Sequence, residues 1–119
     1  MASRAAVTSV LRPTLLDRLI EPRGSGAHPG IGLRELKRAV ARDLEWLLNT
    51  RNEMARSPEL ANLAEARASV LTYGVPDNSN SSRAGSSDRA KVRREIANAV
   101  RLFEPRLVAA TVVISDLEE

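Results

Sequence analysis

The sequence predicts an α+β chain: a small helical subdomain of about three helices, followed by one strand of an incomplete sheet. Two observations predict the long helices and a third predicts the strand. Leu33, Leu36, Val40, Leu44, Leu47 and Leu48 recur at steps of three or four, and so do Val92, Ile96, Ala99, Val100 and Phe103. Each set draws an apolar stripe down one helical face. Beyond Pro105, Leu107-Val108-Ala109-Ala110-Thr111-Val112-Val113-Ile114 is rich in β-branched residues and apolar at both alternating positions. That is the pattern of a strand covered on two sides.

Taken in order, Leu11, Leu15, Leu16, Leu19 and Ile20 follow helical spacing around Pro13, which a first helical turn tolerates, so a short helix is expected near 13–20. Pro, Gly and Ser then crowd 21–31, which reads as a flexible linker, as does the opening segment 1–10. The long second helix should stop near residue 50, where Asn49-Thr50-Arg51-Asn52 breaks the stripe. Ser57-Pro58-Glu59-Leu60 has the form of a cap with Pro in the first turn. Ser69-Val70-Leu71-Thr72-Tyr73-Gly74-Val75-Pro76-Asp77 reads as an ordered, buried loop, ended by Gly and Pro. The Ser- and Asn-rich run over 77–87 buries too little to offset its ordering entropy and reads as flexible. Ser87 or Asp88 should cap the last helix, with Arg89, Lys91, Arg93 and Arg94 facing water. Length and the absence of internal repeats predict a single domain over 1–119.

Composition narrows the chemistry. With no cysteine among 119 residues, disulfide and thiolate chemistry are excluded, and a metal would have to be held by His28 and carboxylates. No metal and no cofactor are expected. The net charge of +3 suggests nucleic acid, yet acids interleave with bases in Arg34-Glu35-Leu36-Lys37-Arg38 and Arg42-Asp43-Leu44-Glu45, so most of that field is cancelled locally. Nearly all the cations are Arg, which suits forked pairing with carboxylates. The opening residues lack a secretory pattern and no later segment is long enough to span a bilayer, so the expected location is the cytoplasm, without membrane insertion.

The corner Phe103-Glu104-Pro105-Arg106-Leu107 is the most informative local feature. Pro105 lacks a donor and pushes Glu104 into extended conformations, so the chain must leave the helix there. On a strand, Glu104 and Arg106 would project to the same side, an acid and a base on a stiff backbone. The plainer reading is a helix stop with an incidental ion pair. The same tripeptide in the linker, Glu21-Pro22-Arg23, shows that context must decide.

Several segments, in order, resemble the gene-25-like baseplate proteins of contractile phage tails and their type VI secretion relatives, called TssE. Leu15-Leu16-Asp17-Arg18-Leu19 looks like the family's opening helix. Arg42-Asp43-Leu44-Glu45-Trp46-Leu47-Leu48-Asn49-Thr50-Arg51 is similar to the typical central stretch of the TssE branch. The 69–77 loop, with Tyr73, Gly74, Pro76 and Asp77, matches the family's loop save for Thr72 in place of Asn and Val75 in place of Leu. Phe103-Glu104-Pro105-Arg106-Leu107 stands where the family carries its Glu-Pro-Arg motif. Because family members continue into further strands and a hairpin, the resemblance implies either a C-terminally truncated sheet, the favoured reading, or a strand completed by another chain through β-augmentation.

The resemblance implies a structural wedge subunit, bound to larger baseplate wedge subunits and to sheath proteins, that helps to start sheath polymerisation without catalysis. In that role Glu104 would accept and Arg106 donate directional, charge-assisted hydrogen bonds. Two other readings compete. Arg89, Lys91, Arg93, Arg94 and Arg101 could make a basic nucleic-acid-binding helix, although aromatic interleaving and a helix-turn-helix pattern are absent. A lysozyme-like glycosidase, a label this family has carried, needs two carboxyl groups across a sugar cleft, one with a raised pKa. Glu45, Asp43, Glu104 and Asp77 sit beside Arg or in a loop, and only Trp46, Tyr73 and Phe103 could stack on sugars. His28 has no triad partners at a meaningful spacing.

Overall fold

The computed structural model describes residues 11–20, 30–79 and 85–114. The expected flexible segments 1–10 and most of 21–31, with His28 and the Glu21-Pro22-Arg23 copy, lie outside the described residues, as do 80–84 and the acidic tail 115–119. The chain divides into two compact units, Met1–Ala41 and Arg42–Glu119.

In the first unit, α1 spans Leu15–Ile20. Thr14 opens it by a reciprocal contact: its Oγ1 accepts from the Asp17 amide at 3.2 Å and donates to Asp17 Oδ2 at 2.7 Å. The long helix α2, Leu33–Asn49, begins in this unit, where the Glu35 carboxylate reaches back to the Gly32 amide at 3.1 Å. That contact satisfies one of the donors a helix start leaves unpaired.

The second unit holds the C-terminal part of α2, three 3₁₀ turns at Glu53–Arg56, Pro58–Leu60 and Val70–Thr72, a one-turn α3 at Ala64–Arg67, and α4 at Ser86–Phe103. Its core is Leu47, Val75 and Ala99, against which Tyr73, Ile96 and Phe103 pack. Tyr73 meets Phe103 edge-on, with ring centroids 5.2 Å apart. α2 ends as its broken stripe predicts, and Thr50 Oγ1 folds back to the Trp46 carbonyl at 2.7 Å. α4 starts slightly earlier than expected, with Gly85 rather than Ser87 or Asp88 at the N-cap.

Asn52 ties the 69–77 loop to the end of α2. Its side-chain amide donates to the carbonyls of Leu71 and Tyr73, each at 2.9 Å, while its Oδ1 accepts from the Met54 amide at 2.8 Å. The backbone continues the link: Val75 N donates to Thr50 O at 2.8 Å and Asn52 N to Val75 O at 2.9 Å, giving a one-residue parallel bridge between Arg51 and Val75. Gly74 makes this approach feasible. Its φ is +122°, and a Cβ there would stand 2.5 Å from the Thr50 carbonyl oxygen.

The α+β expectation is overturned. No sheet forms among the described residues, the Arg51–Val75 contact being an isolated bridge, and 107–114 runs as a bend and irregular chain without a ladder partner. A strand's backbone groups need a neighbouring strand, and strand propensity alone does not supply one. Val108 is fully exposed and Val113 is 79 % exposed, so the two-sided burial read from the sequence is not realised either. The described architecture is helical.

Candidate functional site

The corner forms at the end of α4, where the Glu104 amide makes the last helical bond to the Val100 carbonyl and Pro105 stops the helix. A turn follows, closed by the Leu107 amide on the Glu104 carbonyl at 3.2 Å. This corrects the expected route by which Glu104 and Arg106 come together: they meet through a turn rather than through strand alternation. Glu104 is buried, at 3 % exposure, and Arg106 grips its carboxylate with two prongs, Nε to Oε1 and Nη2 to Oε2, each at 2.5 Å. Arg106 Nη2 also reaches Asp43 Oδ2 on α2 at 2.6 Å.

The chain of charges continues on α2. Arg42 binds the other oxygen of Asp43 through Nε at 3.1 Å and Nη2 at 2.9 Å, and its guanidinium carbon lies 5.0 Å from the centroid of the Trp46 ring. Glu104, Arg106, Asp43, Arg42 and Trp46 thus form one continuous run that joins the end of α4 to α2. Hydrogen bonding to Glu104 above all, against the opposing effect of burial and with Asp43 adding to it, holds the Arg106 pKa above its ordinary value. Tyr73 is pushed up by burial, with the Asp43 and Glu104 charges adding to the effect.

The other residues singled out in the sequence fall into two groups. Leu47, Tyr73 and Phe103 are core or core-packed, and Gly74 and Pro76 are buried in the loop that Asn52 holds. Asn49, Arg51 and Asp77 are exposed, Arg51 contributing through its backbone bridge and Asp77 through an oxygen that accepts from the Ser79 amide at 3.0 Å. Leu107 is half-buried beside the turn. The structure therefore brings together the central helix and the corner, while the loop residues support the core behind them.

A sequence model described as baseplate wedge protein gp25 matches residues 34–119, more than two thirds of the chain. The chain belongs to that family. The match takes in α2 from Arg34, the loop and the corner, and leaves out α1. No curated protein and no solved structure matches the chain. Membership of the baseplate wedge family makes the role structural: assembly with other baseplate proteins. Among the described residues, no helix is long and apolar enough to cross a membrane.

In this wedge-family chain three of the four carboxylates considered for glycoside hydrolysis, Asp43, Asp77 and Glu104, have other tasks, and Glu45 is exposed on α2. Both oxygens of Glu104 and both of Asp43 are taken by guanidinium groups, and hydrogen bonds from Ser79 hold Asp77 below its ordinary pKa, the wrong direction for a proton donor. A recess lined by Arg56, Thr72, Glu95 and Phe103 measures about 80 Å³, well below the several hundred typical of small-molecule sites.

A second ionic hub escaped the sequence reading. Arg56 forks onto Glu95 of α4, with Nε to Oε1 and Nη2 to Oε2 both at 2.9 Å, and Nη2 also reaches Asn78 Oδ1 at 2.8 Å. Glu53 accepts from the Asp77 amide at 2.5 Å beside it. Burial opposes ionisation of Glu95, but hydrogen bonds from Arg56 and Asn78 prevail and lower its pKa. These residues carried no motif; the one available signal was that Glu95 is the sole acid within Lys91-Val92-Arg93-Arg94-Glu95.

Proposed function

We propose that this chain is a wedge subunit of a type VI secretion machine, built like a contractile tail, and that it contributes to baseplate assembly and sheath initiation through protein–protein contacts. Membership of the wedge family supports the baseplate role, and the similarity of Arg42–Arg51 to the TssE stretch supports the choice of machine. The observation that carries the reading is the run from Glu104 through Arg106, Asp43 and Arg42 to Trp46. It leaves Trp46 48 % exposed beneath a fixed guanidinium, and rigid aromatic and Arg groups of this kind dominate interface energetics. We assign Trp46, Arg42 and the Pro105–Arg106 turn as the face that meets the larger wedge subunits.

Arg106→Ala is a poor test by itself, because it also strands the buried Glu104. Trp46→Ala removes the exposed ring and leaves the ion pairs in place. We expect it to keep the helical circular dichroism of the parent and to lose most capture of the larger wedge subunits in a pull-down, with fewer assembled sheaths. Full capture by a folded Trp46→Ala chain contradicts the assignment.

A further inference from the structure

Helix α4 carries the whole charge excess of the protein. The chain has 18 basic and 15 acidic residues, of which α4 holds five basic (Arg89, Lys91, Arg93, Arg94, Arg101) and two acidic (Asp88, Glu95), so the remainder is balanced at 13 of each. Glu95 is engaged chiefly by Arg56 rather than by Arg94 or Arg101, and its side chain is only 18 % exposed. Arg94 and Arg101 stand on the exposed side of α4, and among the described residues no carboxylate pairs with either.

Their spacing is specific. Arg94, Ala97, Asn98 and Arg101 fall at i, i+3, i+4 and i+7, one stripe of the helix, and together line a shallow depression. Asn98 Oδ1 accepts from Arg101 Nη2 at 2.8 Å, which fixes that guanidinium along the helix. The backbones of Arg94 and Arg101, seven residues apart, are about 10.5 Å apart along the axis, with the small Ala97 between them. A second helix laid along this stripe would meet both cations with carboxylates at the same seven-residue spacing.

We propose that the Arg94–Arg101 stripe of α4 docks an acidic helix of a partner protein. Nucleic acid fits less well. The positive excess is confined to one helix of an otherwise balanced chain, and no aromatic residue lines the Arg94–Arg101 stripe, the single Trp, Tyr and Phe being Trp46, Tyr73 and Phe103. The proposal rests on the assembly reading only in taking the partner to be a protein, and it uses none of the corner residues.

The test uses the full chain and a labelled helical peptide with Glu at seven-residue spacing along one face. Controls are the same peptide with Gln for Glu, an isomer with Glu distributed around the helix, and a mixed-sequence DNA duplex. By fluorescence anisotropy at low salt, the aligned Glu peptide should bind best, weaken as salt is added, and lose about five- to tenfold in affinity with Arg94→Gln/Arg101→Gln. Circular dichroism checks that the double variant folds. Equal binding of the distributed isomer, unchanged affinity of the folded double variant, or tighter binding of the duplex overturns the proposal. Because the peptide assay involves neither Trp46 nor a wedge subunit, its failure is distinguishable from failure of the assembly reading.

Discussion

Arg106 reaches back 63 residues to Asp43, with Nη2 2.6 Å from Oδ2, while the same guanidinium closes on Glu104. One side chain thereby joins the last turn of α4, the corner behind it and the middle of α2. The Glu-Pro-Arg corner is an internal fastening as well as a surface feature. Its two roles separate by residue: Glu104 is buried, and the Arg106 side chain is 29 % exposed.

Loss of Arg106 should therefore register first in stability. Arg106→Ala leaves the buried Glu104 without a cation and with only the residue-106 amide, 3.3 Å from its Oε1, which should cost about 2–4 kcal/mol in urea unfolding. Arg106→Lys should recover only part, because an ammonium cannot fork onto Glu104 and reach Asp43 together. A double-mutant cycle of Asp43→Asn with Arg106→Gln should give a coupling of about 1–2 kcal/mol, between that of exposed and of buried pairs. Coupling near zero would show the Asp43 contact to be energetically idle.

Gly74→Ala should be severe for its size. The positive φ of 122° disfavours any side chain, and the new Cβ would meet the Thr50 carbonyl, a backbone atom with little room to move. We expect a loss of at least about 2 kcal/mol, with faster hydrogen exchange at the Asn52 and Val75 amides that form the bridge. Gly32→Ala, where a Cβ meets nothing within 4 Å, provides the control and should be near neutral. Unaltered exchange in Gly74→Ala would mean that the loop is held by the Asn52 side chain alone.

The long helices were legible because their stripes recur within a few residues, and the end of α2 because Asn49-Thr50-Arg51-Asn52 interrupts its stripe. The strand over 107–114 was misread because β-branched composition reports how a residue would fit a sheet and not whether a second strand exists to pair with it. Arg56 and Glu95 left only the faint signal of a lone acid among bases, since their partnership spans 39 residues and neither falls in a periodic pattern with the other. Asn52 looked like a simple helix breaker; its bonds to Leu71 and Tyr73, 19 and 21 residues on, depend on how the loop returns. At the corner, Pro105 made the helix stop readable, whereas the third partner, Asp43, lay 63 residues away.

Acid should loosen the attachment of α4. The Glu95 carboxyl titrates lower in the folded chain than in the unfolded one, so as pH falls the unfolded chain takes up this proton first. Its stabilising contribution is complete above the ordinary glutamate range, near about pH 4.3, and is lost as pH drops below it through the folded value. Urea midpoints followed from about pH 6 to 3 should fall along this limb, and Arg56→Gln should flatten it. An identical limb in Arg56→Gln would assign the acid sensitivity to other carboxylates.

Residues 107–114 follow directly after Arg106, with Leu107, Val112 and Ile114 half-buried. Tension applied to that segment reaches the fastening before it reaches the hydrogen bonds of α4. There it meets two carboxylates, Glu104 just past the end of α4 and Asp43 on α2, so both contacts share in anchoring the segment. The corner therefore ties the departing segment to α2 as well as to the end of α4.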